Sequence, residues 1–104
     1  MILGPSGQNI YPEEVETVVN SQPYVVDSLV IEDNGGLTAL IYPDFQQGAK
    51  DGMSQEAMVT YMEGTLAELN TILPNYARLK KIEVMSEDFE RTPKKSIKRY
   101  LYQR

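Results

Sequence analysis

A hairpin turn near the middle of the sequence places the strongest constraint on the fold. Residues 25–32 and 37–42 are two runs rich in β-branched and apolar side chains, and the segment between them reads Asp33-Asn34-Gly35-Gly36. Asn-Gly readily adopts the two positive φ angles of a tight turn whose twist matches that of antiparallel strands. The sequence therefore predicts two adjacent antiparallel strands, so the fold must contain a β-sheet.

Helical periodicity occurs on both sides of this hairpin. Pro12 suits a first helical position, where a missing amide costs nothing, and two glutamates follow it, so we predict a helix over residues 12–20. Ser54 is a suitable cap for a second helix, which Leu73-Pro74 ends. Along that helix the apolar residues recur at spacings of three and four, as is typical of a core-facing stripe: Met58, Met62, Leu66, Leu69 and Leu73.

The remaining segments are short. Residues 1–10 and 86–93 are predicted loops, residues 44–53 a polar connection, and residues 81–85 a strand. Residues 96–102 are predicted to form a terminal helix that brings Tyr100 and Leu101 onto the body of the protein. Together the elements predict an α+β fold, in which a β-hairpin and a short mixed sheet are packed by about three helices.

Composition narrows the possible functions. The 104 residues suffice for one small domain, and they include neither cysteine nor histidine. Disulfides, thiolate metal sites, cysteine nucleophiles and Ser-His-Asp triads are therefore excluded. No clustered carboxylates suggest a metal site. No apolar run approaches the roughly 20 residues that cross a bilayer, and the first residues lack the basic start of a signal peptide, so we expect a cytoplasmic protein.

Charge is distributed unevenly along the chain. Residues 1–77 carry a balance of −10, with Lys50 as their one basic residue, whereas residues 78–104 carry +5. The basic last quarter is suited to facing an anion. Nucleic acid is not the expected anion, because the acidic remainder would repel a phosphate backbone and no RNA-binding aromatic motif or recognition-helix pattern is present.

Three segments have residue types that suit ligand binding. A glycine-bearing loop precedes Pro12 and presents backbone amides that can meet an anion at a helix start, although a simple entry loop with ordinary capping explains it more readily. Within residues 73–78, Tyr76 and Arg78 are more readily explained by packing than by ligand contact. Residues 92–99 hold four cations that suit a phosphate or a pyrophosphate leaving group, or that form a solvated basic face.

In this order, the three segments resemble motifs of one enzyme superfamily. Residues 7–16, Gly-Gln-Asn-Ile-Tyr-Pro-Glu-Glu-Val-Glu, resemble the post-hinge motif of acyl- and aryl-CoA synthetases. Residues 73–78, Leu-Pro-x-Tyr-x-Arg, are followed by Ile-Glu-Val at 82–84 and Phe-x-x-Thr-Pro at 89–93, and together they resemble the closing stretch of the same superfamily. Residues 89–102 resemble its terminal lysine motif, which is commonly Thr-Pro-x-Gly-Lys-Ile-x-Arg. The resemblance covers essentially the whole chain, which is most similar to the C-terminal domain of adenylate-forming long-chain fatty acid–CoA ligases.

This resemblance implies that residues 1–104 form a mobile lid domain whose large N-terminal adenylation domain lies outside this sequence. The intact enzyme would use ATP with magnesium, a fatty acid and CoA. In one orientation the lid delivers a lysine as the carboxylate attacks the α-phosphate of ATP. In the other, the post-hinge loop lines the channel for the pantetheine arm of CoA.

The resemblance also assigns residues to these two surfaces. By position, Gly7, Gln8 and Asn9 belong to the CoA-facing surface, and Arg99 is a further cofactor-binding candidate. The domain alone is expected to be inert and to hold no cofactor. We expect no nucleic acid partner and at most peripheral contact with a membrane.

The lysine motif departs from the family pattern at its centre. An alignment without gaps puts Lys95 on the usual glycine and Ser96 on the usual catalytic lysine. Serine cannot supply the charge, so we predict that Lys95 does so through a one-residue shift of the loop. Lys94 and Lys98 are less direct substitutes. Alternatively, adenylation is impaired or relies on cations of the other domain.

Two other functions fit the same resemblance. One is a standalone binding module of this fold that docks onto a partner and catalyses nothing. The other is the lid of an enzyme that loads its acyl group onto a carrier protein instead of free CoA.

Overall fold

A computed structural model of the chain describes residues 2–3 and 7–103 and confirms the α+β fold. None of the helices in this part of the chain is both long and apolar enough to cross a membrane. The elements are, in chain order, β1 (Ile2–Leu3), β2 (Asn9–Ile10), α1 (Pro12–Val19), β3 (Val25–Asp33), β4 (Gly36–Pro43), α2 (Phe45–Lys50), α3 (Gln55–Ile72) and β5 (Leu79–Val84).

The main sheet is mixed and has the strand order β3-β4-β5. Strands β3 and β4 form the predicted antiparallel hairpin, whose turn residues Asn34 and Gly35 have φ angles of 51° and 79°. Strand β5 runs parallel to β4, and the connection between them contains α2 and α3. Strand β5 begins two residues earlier than predicted, where the side-chain amide of Asn70 hydrogen-bonds both the N–H and the C=O of Leu79.

The first residues form a second, two-stranded sheet where the sequence predicted only a loop. Ile2 pairs with Ile10 and Leu3 with Asn9 in antiparallel register. Residues 4–6 of the predicted loop, which lie between these two strands in sequence, are outside the described residues. Strand β2 leads directly into α1, which begins at Pro12 as predicted.

The sheet is covered on both faces. Helices α1 and α3 pack on one face, where Met58 and Met62 are fully buried, which confirms that the methionine stripe belongs to the core. The segment 85–102 covers the other face. There it forms a second core, in which Phe89 is buried against the sheet residues Leu29, Ile31 and Leu40. Three partly buried side chains of the same segment pack against this cluster: Met85, Ile97 and Tyr102.

The structure corrects two of the predicted elements. Residues 44–53 are not only a polar connection, because Asp44 caps the six-residue helix α2 by accepting a 3.0 Å hydrogen bond from the Gln47 amide. Gly48 is suited to this helix because a Cβ there would overlap the terminal methyl of Met58.

The predicted helix over residues 96–102 was also wrong. Only one 3₁₀ turn forms, at Arg99–Leu101, since Ile97 pairs with Arg91 in an isolated β-bridge. Tyr100 and Leu101 are 70% and 48% exposed rather than packed on the body. Tyr102 packs instead, with its ring edge-to-face against Phe89 at 5.3 Å between centroids.

Candidate functional site

The basic segment forms a closed loop on a short antiparallel stem, here called the lysine loop (residues 92–98). At its base the Lys98 amide donates to the Glu90 carbonyl at 2.9 Å. Within the loop, the Thr92 amide donates to the Ser96 carbonyl and the Lys95 amide to the Thr92 carbonyl, both at 2.8 Å. These backbone bonds give the loop a defined shape.

Lys95 adopts a left-handed backbone conformation, with φ = 67°. This region of φ and ψ is favoured by glycine and costs other residues roughly 1–2 kcal/mol. The conformation agrees with the gapless alignment, which places Lys95 on the usual glycine of the lysine motif. The next residue, Ser96, then follows the turn at the position of the usual lysine and is exposed.

The cations of the last quarter of the chain differ in their pairing. Arg91 binds Asp27 and Asp88, and Lys81 makes a loose 3.8 Å pair with Glu83. Within residues 2–3 and 7–103, no ion pair forms at Lys94, Lys95 or Lys98, and the first two are exposed. The lysine loop thus groups exposed positive charge that is available to an external anion, and Arg78, outside the loop, is likewise exposed.

Arg99 is held in a bidentate ion pair. Its two terminal nitrogens lie 2.9 and 2.5 Å from the carboxylate oxygens of Glu16 on α1. The same carboxylate accepts a 2.7 Å hydrogen bond from the Val30 amide on β3, and Glu16 is only 7% exposed. Hydrogen bonding to Glu16 raises the pKa of Arg99, so the guanidinium stays charged. It fastens the end of the lysine loop to α1 and to the sheet.

This pairing bears on the role predicted for Arg99. The residue borders an open cleft of about 300 Å³ that is also lined by Glu13 and Glu32. Two carboxylates beside one paired guanidinium make a poor setting for a phosphate. A cofactor contact through Arg99 stays a prediction. Glu16 is not among the site residues predicted from the sequence, and it lies 83 residues from Arg99 along the chain.

The post-hinge residues lie together at another edge of the domain. Gly7 has φ = 83°, Gln8 is exposed, and Asn9 belongs to β2. Asn9 lines a groove of about 200 Å³ together with Tyr76, which is 44% exposed rather than packed. The structure therefore brings two of the three predicted segments together. The lysine loop does not line this groove and is linked to α1 through Arg99 and Glu16.

Metal binding finds little support in the side chains. In the described part of the chain, no three acidic residues converge into a group that could hold a metal ion. Exposed ammonium groups on a shaped loop are instead suited to neutralising anionic oxygens.

Solved structures of longer proteins contain the same fold. The chain superposes on a Mycobacterium tuberculosis fatty acyl CoA synthetase with a TM-score of 0.63 at 26% identity, covering 97% of this chain and 18% of that one. For ATP-bound MatB from Rhodopseudomonas palustris the TM-score is 0.62 at 23% identity, with coverages of 97% and 18%. For the adenylation domain of the carboxylate reductase from Mycobacterium chelonae it is 0.74 at 15% identity, with coverages of 96% and 17%.

The sequence itself gives the family. Residues 1–104 match the AMP-binding enzyme C-terminal domain, and the chain belongs to that family. Among curated proteins, none matches the sequence. The chain spans about 18% of the length of the first solved relatives, all of which are much longer proteins.

Proposed function

We propose that this domain is the mobile C-terminal lid of an ATP-dependent acyl-CoA synthetase that acts on fatty acids in the cytoplasm. The observation that carries the proposal is the lysine loop. It combines a fixed backbone shape, unpaired exposed lysines and a left-handed residue in register with the glycine of the family motif. The similarity to a fatty acyl CoA synthetase supports this choice of substrate class.

In the first half-reaction, the lysine loop would face the N-terminal adenylation domain. A fatty acid carboxylate and the triphosphate of ATP repel each other, so cations positioned where charge develops stabilise the transition state by several kcal/mol. We propose Lys95 for this task, with Lys94 as its neighbour on the same turn. The backbone of Lys95 keeps the register of the usual glycine, without the one-residue shift that the sequence predicted, so its side chain would reach the phosphates from one position earlier in the loop. Ser96, which stands at the usual lysine position, supplies no charge.

In the second half-reaction, the post-hinge surface would face the same centre. Asn9 and Tyr76 border the groove of about 200 Å³ at this surface, and Gly7 and Gln8 immediately precede Asn9 in the sequence. We propose that this surface guides the thin pantetheine arm of CoA toward the acyl-adenylate. Magnesium would accompany the nucleotide, since the described acidic residues form no metal cluster.

The proposal is tested in the complete polypeptide, with the N-terminal adenylation domain attached. If Lys95 supplies the cation, Lys95→Ala should slow pyrophosphate release about a hundredfold, the scale of one lost transition-state contact. Lys50→Ala, an exposed change on α2, is the matched control and should leave the rate unchanged. An unchanged rate in Lys95→Ala would remove this residue from the mechanism.

A second variant tests the alignment of residues 95 and 96 with the common motif, separately from the charge of Lys95. Lys95→Gly combined with Ser96→Lys restores the common motif and should raise the adenylation rate, or at least keep it, while Ser96 alone changed to alanine should have little effect. Loss of adenylation in the double variant would contradict the alignment on which the proposed site rests.

Product analysis separates the rival functions. Formation of acyl-CoA from free CoA supports the proposed acceptor, whereas transfer only to a carrier protein supports carrier loading. Adenylation that is absent from the complete polypeptide, with all lysines intact, would support the non-catalytic binding module. Micromolar binding of ATP by the isolated 104-residue chain would contradict the requirement for a second domain.

A further inference from the structure

Arg91 lies at the base of the lysine loop and bonds to three parts of the domain. One terminal nitrogen donates to the Lys95 carbonyl at 3.3 Å. The other donates to Asp27 at 2.8 Å and to Asp88 at 3.0 Å. A planar guanidinium can satisfy several acceptors in fixed directions, which a lysine ammonium on a flexible stem does less well.

Asp27 connects this contact to the sheet. It lies on β3 next to the register irregularity between Val25 and Asp27, and its second carboxylate oxygen accepts a 2.8 Å hydrogen bond from the Ser28 amide. The carboxylate is therefore fixed in direction before it meets Arg91. Its side chain and that of Arg91 are 26% and 28% exposed, so water screens the pair only in part.

The contact acts on the residue whose backbone is strained. The Lys95 carbonyl follows a left-handed φ of 67°, and the hydrogen bond from Arg91 holds that carbonyl in place. The backbone bonds from the Lys95 and Thr92 amides close the loop but contact nothing in the sheet. The hydrogen bond from Arg91 differs from these, because the same guanidinium also binds Asp27 on β3.

We infer that Arg91, oriented by Asp27, is a positioning residue that fixes the direction in which the lysine loop presents Lys94 and Lys95. It touches no reacting atom and acts through the backbone of Lys95. Its effect on catalysis rests on the function proposed above, whereas its effect on the shape of the loop can be measured independently.

The first test uses the 104-residue chain as it is. Amide hydrogen exchange is followed by NMR in wild type, Arg91→Gln and Asp27→Asn. The Lys95 and Ser96 amides should exchange about tenfold faster in both variants, while amides in the middle of α3 keep their protection and show that the fold persists. Lys50→Gln, which removes one cation elsewhere on the surface, should change the exchange neither of the loop amides nor of the α3 amides. Unchanged exchange at Lys95 and Ser96 in both variants would overturn the inference.

The second test uses the complete enzyme and separates the two half-reactions. Arg91→Gln should slow acyl-adenylate formation by about tenfold to a hundredfold, as expected for a misplaced catalytic group, and leave thioester formation from preformed acyl-adenylate unchanged. Arg91→Lys should recover only part of the rate. In the double variant with Asp27→Asn, the losses should not add, because both residues act through one contact.

The outcomes have different meanings for the two proposals. Equal losses in both half-reactions would indicate a merely structural role and overturn the positioning role. Faster exchange in the loop together with an unchanged adenylation rate would also overturn it. Absence of adenylation in the wild-type enzyme would refute the proposed function, and the exchange measurement would still decide whether Arg91 shapes the loop.

Discussion

The ion pair between Arg99 and Glu16 gives the sharpest prediction about stability. We consider Arg99→Met, which keeps the aliphatic stem and removes every donor. The Glu16 carboxylate would then retain a single hydrogen bond, from the Val30 amide, although its side chain is only 10% exposed. A buried charge without its partner is costly, so the variant should be much less stable than the loss of a surface pair would imply.

The magnitude follows from the exposure of both partners. Removing one member of a fully buried pair costs roughly 3–5 kcal/mol, and each hydrogen bond to a charged group contributes about 1.5–3 kcal/mol. The Arg99 side chain is 34% exposed, so water can hydrate Glu16 once the guanidinium is gone. We therefore expect a loss of about 2–3 kcal/mol in the free energy of unfolding, below the fully buried range.

Urea unfolding of the isolated chain, followed by circular dichroism, measures this loss as a lower midpoint at an unchanged slope. Lys81→Met is the matched control, because it removes the exposed 3.8 Å pair with Glu83 and should cost no more than about 0.5 kcal/mol. Adding Glu16→Gln to Arg99→Met should restore part of the stability by removing the unpaired charge. Equal losses in Arg99→Met and the control, or no recovery in the double variant, would refute this reasoning.

Three further predictions concern single residues. Lys95→Gly should stabilise the isolated chain by about 1 kcal/mol in urea unfolding, because it relieves the left-handed φ; a loss of stability would contradict the strain. Gly35→Ala should lower the free energy of unfolding by about 1–2 kcal/mol, because Gly35 has a positive φ, although a Cβ there would meet nothing within 4 Å. Gly64→Ala, in helix α3 and with equally open space, should raise the free energy of unfolding by up to about 1 kcal/mol. Effects of the same sign at both glycines would refute an origin in backbone conformation. A hydrogen bond to Asp51 raises the pKa of Tyr24, so this contact stabilises the fold below the ordinary tyrosine pKa of about 10 and is lost as the pH rises through the raised value. NMR titration of the tyrosine rings should show the shift, and Asp51→Asn should reduce it.

Features set by neighbouring residues could be predicted from the sequence. The Asn34-Gly35 turn, the proline at the start of α1 and the Ser54 cap all act within a few residues, and the structure has each of them. The methionine stripe on α3 was predictable because helical spacing alone assigns a buried face. These local features were sufficient for the fold class.

Features that depend on tertiary contacts could not be predicted in the same way. Helix α2 is too short for periodicity to show, and its Gly48 makes sense only once Met58 is packed against it. The terminal helix failed because the bridge between Arg91 and Ile97 takes up the backbone of that segment. The lysine loop was recognised from its cations, but the contact at its base between Arg91 and Asp27, which lie 64 residues apart in sequence, follows only from the tertiary fold.

The partner of Arg99 was hidden for a related reason. Glu16 lies on a short helix among other glutamates, and its helical spacing from Pro12 and Val19, which puts it on the buried face, is the local signal that distinguishes it. Only the fold shows that it meets an arginine of the lysine motif. The sequence therefore predicts an external ligand for Arg99, and the structure shows in addition an internal carboxylate as its partner.

The second core has a consequence for the way the chain is made. The sheet residues Leu29, Ile31 and Leu40 are covered by side chains that belong to residues 85–102. During synthesis, the three strands of the main sheet and helices α1 and α3 emerge before the segment that covers this face. The nascent domain therefore passes through a stage in which one side of a nearly complete sheet is bare and apolar, a state that is prone to aggregation. Its folding is completed only when Phe89 and Tyr102 have left the ribosome.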